Sequence, residues 1–270
     1  YFSIWSFNDN LTDGPTRHWT GHAEELTSLV RIDVKTYRVM GDAPSDIPAA
    51  QQVLRSVLPT STIYEFEEDG VRLTLQFMTP KIPDDLMVCS WPVTYLTWSA
   101  QAVDGQEHTL GVYFDARGEI AVNTGAEKVH GSHEDTGKLA VLKLGSTQQA
   151  ILARKGDDLR IDWGYFYVAA PSSQTYAALL APTGSKVRET FGQPYVTRML
   201  TPGEASGESV LATIDFKPLK VSGRPVSCWL MLAYDDEYSI QYFHHNLRPY
   251  WRRNGDDAAA LLRKAPAGYG

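Results

Sequence analysis

Between residues 71 and 77 the apolar Val71, Leu73, Leu75 and Phe77 alternate with Arg72, Thr74 and Gln76. That period of two marks a strand with one buried and one wet face. An earlier run over 63–67 joins it through Glu68, Asp69 and Gly70, which predicts a hairpin. Similar patterning marks strands at 93–100 and 110–115 around a loop carrying Asp104 and Gly105. Further strands are expected at 139–144, 149–154, 159–161, 165–169, 175–180, 209–216 and 226–234. So many short strands, divided by Gly, Pro and Asp, predict an all-β fold: a large antiparallel β-sandwich of two twisted sheets.

Helical periodicity is sparse before residue 238. The exception is 48–57, where Val53, Leu54 and Val57 can share one face of a short helix. The segment 1–41 carries Trp5, Phe7, Trp19 and Tyr37 among polar residues and is expected to be an extended strap packed on a sandwich of residues 42–235. Beyond Asp235 the pattern turns helical or loop-like, with Asp256 as the expected N-cap of a helix over 258–264. Residues 236–270 therefore form a third unit, a joint leading into a helix.

Composition narrows the function classes. The 270 residues carry a net charge of -7, which argues against whole-domain attraction to nucleic acid or an anionic membrane. No apolar run reaches the roughly 18 residues of a membrane-spanning helix. Cys89 and Cys228 both lie in apolar, strand-like surroundings and are expected as buried free thiols rather than a disulfide; no zinc spacing involves them. Asn10-Leu11-Thr12 is a glycosylation sequon. The chain opens at Tyr1 without an initiator Met and reads as a mature or trimmed piece.

Candidate chemistry is thin. His244 and His245 are adjacent, so on a helix they would point about 100° apart and not converge on one metal. His18 and His22 have the i, i+4 spacing of a zinc pair, but Gly21 lies between them and no Glu follows the first His. Acidic doublets at Asp84-Asp85, Asp157-Asp158, Asp235-Asp236 and Asp256-Asp257 fit turns and caps better than a hydrolytic carboxylate pair; Asp235-Asp236, ending an apolar strand, is the doublet best placed for binding. No nucleophile elbow, phosphate loop or cofactor fingerprint occurs, and no metal or cofactor is expected. The run RPYWRR could stack bases or sugars, but on an acidic domain it reads as a protein interface, not a nucleic-acid footprint.

Five blocks in order, YFSIWSFNDNLTDGPTRHWTG, LVRIDVKTYRVMG, TSTIYEFEEDGVRLTLQFMTPKIPDDL, PVTYLTW and YFHHNLRPYWRRNG, resemble the N-terminal half of glutaminase A-like proteins over nearly the whole chain. The resemblance implies a secreted or periplasmic, modular protein with a supersandwich-like β domain followed by a helical toroid. It also implies residues before the first block and hydrolysis of L-glutamine to L-glutamate and ammonia. The toroid is expected as the partner of this chain, beginning near Asp256, and glutamine as the substrate of the whole protein; no catalytic residue is transferred. A rim of Trp5, Asp9, Arg17, His18 and Trp19 is the candidate contribution to the site, against the plainer reading that these residues only pack the strap. Tyr238, Tyr242, Arg248, Tyr250, Trp251, Arg252 and Arg253 are assigned to the interdomain joint and should be exposed in this chain. A carbohydrate-binding or glycosidase-associated sandwich is the alternative.

Overall fold

Asp69 and Gly70 take φ of 42° and 76°, the left-handed pair a two-residue hairpin turn requires, and close the predicted hairpin. The structure, a computed structural model, describes residues 2–192 and 205–269. In chain order its strands are β1 (Leu26–Ile32), β2 (Lys35–Met40), β3 (Gln52–Val57), β4 (Ser61–Glu68), β5 (Val71–Met78), β6 (Val93–Ala102), β7 (His108–Arg117), β8 (Lys128–Asp135) and β9 (Leu139–Ser146). There follow β10 (Tyr165–Pro171), β11 (Thr175–Pro182), β12 (Ala205–Ser206), β13 (Val210–Phe216), β14 (Leu219–Val221), β15 (Val226–Asp235), β16 (Ile240–Tyr242) and β17 (His245–Leu247). Helices are short: α1 (Leu86–Cys89), α2 (Val187–Thr190) and α3 (Ala258–Lys264).

A nine-stranded sheet runs β12-β8-β9-β10-β15-β6-β5-β4-β3, and a six-stranded one runs β11-β13-β7-β1-β2 with β14 also on β7. All these ladders are antiparallel, as expected of the sandwich. Between the sheets lies the main core, centred on Trp98. Its ring meets Phe114 and Phe216 of the opposite sheet at 6.1 and 5.6 Å, and its indole N–H donates to Ser28 Oγ at 3.1 Å. Strands β6 and β15 are apolar on both faces because α3 covers the outer one. There Tyr95, Met231 and Ala233 pack with Trp251, Leu261 and Leu262.

Several expectations need correction. Residues 48–57 form no helix: Gln52–Val57 is an edge strand on β4, and Val53, Leu54 and Val57 stay exposed. The stretches 149–154 and 159–161 are not strands but irregular chain with one turn at 151–152; Gln149 and Leu152 take positive φ, and the Gln149 side chain is bonded to Gly164 on both its N–H and C=O. Segment 1–41 is a strap only in its first part, because β1 lies inside the six-stranded sheet between β7 and β2. Strands β6 and β7 do not pair; the loop between them crosses from one sheet to the other. Cys89 belongs to α1 and is half-buried, whereas Cys228 is buried on β15; both are free thiols. Asp257, not Asp256, caps α3, accepting from Ala260 N–H at 2.8 Å. Finally, residues 240–247 form the hairpin β16–β17, turned at Phe243 and His244 with φ of 43° and 63°.

Candidate functional site

The strap is stitched to itself before it meets the sandwich. Trp5 N–H donates to Arg17 C=O and Arg17 N–H to Trp5 C=O, both at 2.8 Å, while the Arg17 guanidinium donates to Gly21 C=O at 2.8 Å. Thr16 Oγ1 donates to Glu24 C=O at 2.6 Å and accepts from Leu26 N–H at 2.8 Å, anchoring the strap to the start of β1. Phe2 then packs on Tyr234, ring centroids 4.5 Å apart. Between this strap and strands β4, β5 and β6 of the nine-stranded sheet opens a groove of about 610 Å3. Trp5 and Trp91 line it, with hydroxyls from Ser3, Ser61 and Thr79.

Apolar and hydroxyl-bearing side chains make up most of the described lining of the groove. Among the described residues Lys81 is the only charged one lining it, and the ammonium already donates to Cys89 C=O at 2.6 Å. Among the described residues none lining the groove carries a carboxylate, imidazole or thiol. An aromatic, hydroxyl-bearing concavity of this kind takes ligands by stacking and hydrogen bonding.

The rim candidates separate. Trp5 is 56% exposed and lines the groove. Asp9 is ion-paired with Arg55 of β3, and Trp19 is exposed with its N–H donating to Ser3 Oγ at 3.2 Å. His18 is fully buried, with Nδ1 3.0 Å from Thr20 Oγ1. Arg17 spends its backbone and guanidinium inside the strap.

Sequence reasoning missed the buried polar groups behind the strap. Glu24 is 2% exposed, and neither carboxyl oxygen has a hydrogen-bond partner among the described residues. Burial, reinforced by the neighbouring Glu119 carboxylate and opposed by Arg160, pushes its pKa up to about 9, so it stays protonated at neutral pH. Arg160 is buried and bonded to Asn123 C=O at 2.8 Å and Asp158 at 2.6 Å. Among the described residues no group of three or more His, Cys, Asp or Glu could hold a metal ion, and no helix is long and apolar enough to cross a membrane.

The joint residues also divide. Tyr242 of the hairpin and Arg248 just after it are exposed, as is Tyr250, and the cations of Arg248 and Arg253 lie over the rings of Tyr238 and Tyr250 at 5.5 and 4.1 Å. Trp251 departs from the expected exposure: at 2% exposed it belongs to the core under α3. Arg252 is likewise occupied, its Nη1 donating to both Asp235 oxygens at 2.8 and 3.0 Å. The tail past α3 is anchored too, since Tyr95 O–H donates to Ala265 C=O at 2.7 Å and Tyr269 stacks on Trp229 at 4.4 Å.

A family model described as Domain of unknown function (DUF5127) matches residues 60–270, and one described as Domain of unknown function (DUF4964) matches residues 1–50. Glutaminase A of Aspergillus oryzae (strain ATCC 42149 / RIB 40) is 28% identical over 155 residues, covering 56% of this chain and 22% of that protein. The chain thus spans less than a quarter of the curated relative it matches. Among solved structures, one named as a kojibiose phosphorylase from the human microbiome superposes with a TM-score of 0.43 at 5% identity, covering 91% of this chain and 25% of that one. The GH36 alpha-galactosidase AgaB of Geobacillus stearothermophilus gives 0.26 at 9% identity, covering 81% and 29%. Likeness at that level carries no argument about function.

Proposed function

We propose, since the chain belongs to the family of the domain of unknown function DUF5127, that it is the N-terminal β-sandwich portion of a glutaminase A-like amidohydrolase. Its activity in the whole protein is conversion of L-glutamine to L-glutamate and ammonia, with the catalytic groups supplied by a helical-toroid domain that this sandwich braces. The same reading places the protein outside the cytoplasm. The single observation that carries it is the likeness to Glutaminase A.

The docking surface on this reading is the hairpin β16–β17 and its surroundings. Ile240, Tyr242, Phe243 and Leu247 are all exposed, and a two-stranded hairpin is marginal in water without a surface to lean on. Tyr238, Arg248, Tyr250 and Arg253 extend that surface, whereas Trp251 and Arg252 fix its base to the sandwich. The test mixes this chain with the toroid domain made as a separate polypeptide. Ammonia release should need both, and Tyr242→Ser with Phe243→Ser should weaken the pairing at least about tenfold, as hot-spot aromatics do. Full activity of the toroid alone would overturn the bracing role.

The second reading, a carbohydrate-binding sandwich, is favoured by one observation: two tryptophans line the groove beside hydroxyls. Glycan-array binding that falls on Trp5→Ala or Trp91→Ala would support it, and a blank array would dismiss it.

A further inference from the structure

A second concavity, of about 310 Å3, lies on the outer face of the nine-stranded sheet beside the first turn of α3. The antiparallel register builds it. Lys143 of β9 stands opposite Tyr167 of β10, and Tyr165 stands opposite Asp235 of β15, so these four side chains share one face. Gly145 makes room for the Tyr165 ring: a Cβ there would come within 2.5 Å of its Cδ1. Lys143 Nζ sits 3.5 Å from the centroid of Tyr165 and 5.9 Å from that of Tyr167.

The polar groups facing this space are unevenly satisfied. Arg252 and Asp235 neutralise each other, and the Asp257 carboxylate caps α3. Lys143 and the Tyr165 and Tyr167 hydroxyls make no hydrogen bond or ion pair among the described residues, although the ammonium is half-buried. Burial pulls the Lys143 pKa below its ordinary value, while Glu237, Asp235 and Glu134 act the other way. What remains along the lining is two cations, Lys143 and Arg263, and three carboxylates, Glu134, Glu237 and the helix-capping Asp257. A singly charged ligand would satisfy one side and repel the other. A zwitterion satisfies both, and phenol hydroxyls beside an ammonium are the donor set a carboxylate takes up.

We propose that this cleft binds a free α-amino acid, its carboxylate held by Lys143 and the two tyrosine hydroxyls and its ammonium directed to Glu237. The site is separate from the strap groove and does not rest on the amidohydrolase reading. Binding is measured without turnover, so loss of either leaves the other standing.

The test is isothermal titration of the 270-residue chain with L-alanine, and with propionate and ethylammonium as its two singly charged analogues. L-Alanine should bind at about 1 mM or tighter, and each analogue about tenfold or more weaker. Lys143→Met, which keeps the stem over the tyrosine rings, and Glu237→Gln, on the loop after β15, should each weaken L-alanine binding about tenfold. Thermal melts of both variants report the fold independently, and Glu237→Gln decides the matter if Lys143→Met does not fold. Propionate binding as tightly as L-alanine, no heat with L-alanine, or unchanged affinity in a folded variant would each overturn the proposal.

Discussion

Replacing Glu24 by Gln tests whether a buried, uncharged carboxyl sits behind the strap. The folded pKa is about 9 against 4.5 for the ordinary group. Between those values the unfolded chain has released the proton and the folded chain keeps it. The unfolded state then binds fewer protons, and stability falls as pH rises. The contribution is fully present below about pH 4.5 and is lost as pH rises through about 9. At about pH 7.5 the interval above 4.5 corresponds to about 4 kcal/mol, an upper bound because local opening to water relieves part of it. Gln has no such dependence but buries an amide without partners, costing about 1–3 kcal/mol. Glu24→Gln should therefore be neutral or slightly destabilising near pH 5 and stabilising by about 1–3 kcal/mol near pH 7.5, or about 2–4 °C in Tm per kcal/mol. Differential scanning calorimetry across pH 5 to about 8.5 reads it as a gap between the two melting curves that widens with pH. Parallel curves would refute the buried protonated carboxyl.

Other outcomes follow from named contacts. Asp235→Ala leaves the Arg252 guanidinium inside without its partner and should cost about 3–5 kcal/mol by denaturant unfolding; no change would mean the pair is solvated. Gly145→Ala places a Cβ against Tyr165 and within 2.8 Å of Gly164 C=O, a backbone atom that cannot swing aside, and should lower stability by about 1–3 kcal/mol. His108 is hydrogen-bonded by Asp33 at 2.9 Å and then by Asp104, which hold its pKa above the ordinary histidine value. This contribution is full below about pH 6.5 and fades as pH rises through the folded pKa, and an NMR imidazole titration with its midpoint at or below about 6.5 would contradict it.

The legible part of this chain was the part whose pattern has one cause. Val71–Met78 alternates because one face is buried, and it was read within a residue. β1 was legible in principle, since Leu26, Val30 and Ile32 share the inner face, but Leu29 on the other face is buried by Phe191 and Val187, which blurs the alternation. At 52–57 the edge strand exposes Val53, Leu54 and Val57, so hydrophobicity there reports neither burial nor period. The strap groove was partly legible through its tryptophans. Glu24 was not, because a glutamate gives no local sign that tertiary packing will bury it. Lys143 did leave one: a lone lysine inside the apolar run LAVLKLGS of β9. Trp251 and Arg252 misled because an aromatic–arginine cluster fits an interface and a core margin equally.

The proposed role of the sandwich is to support glutamine hydrolysis without performing it. The most direct measurement is ammonia release from L-glutamine by the 270-residue chain alone, assayed beside a longer protein in which the helical toroid follows it. The longer protein should turn over and this chain should release no ammonia above the buffer background. Turnover by the chain alone that disappears on replacing a residue within it, or an inert longer protein, would contradict the account.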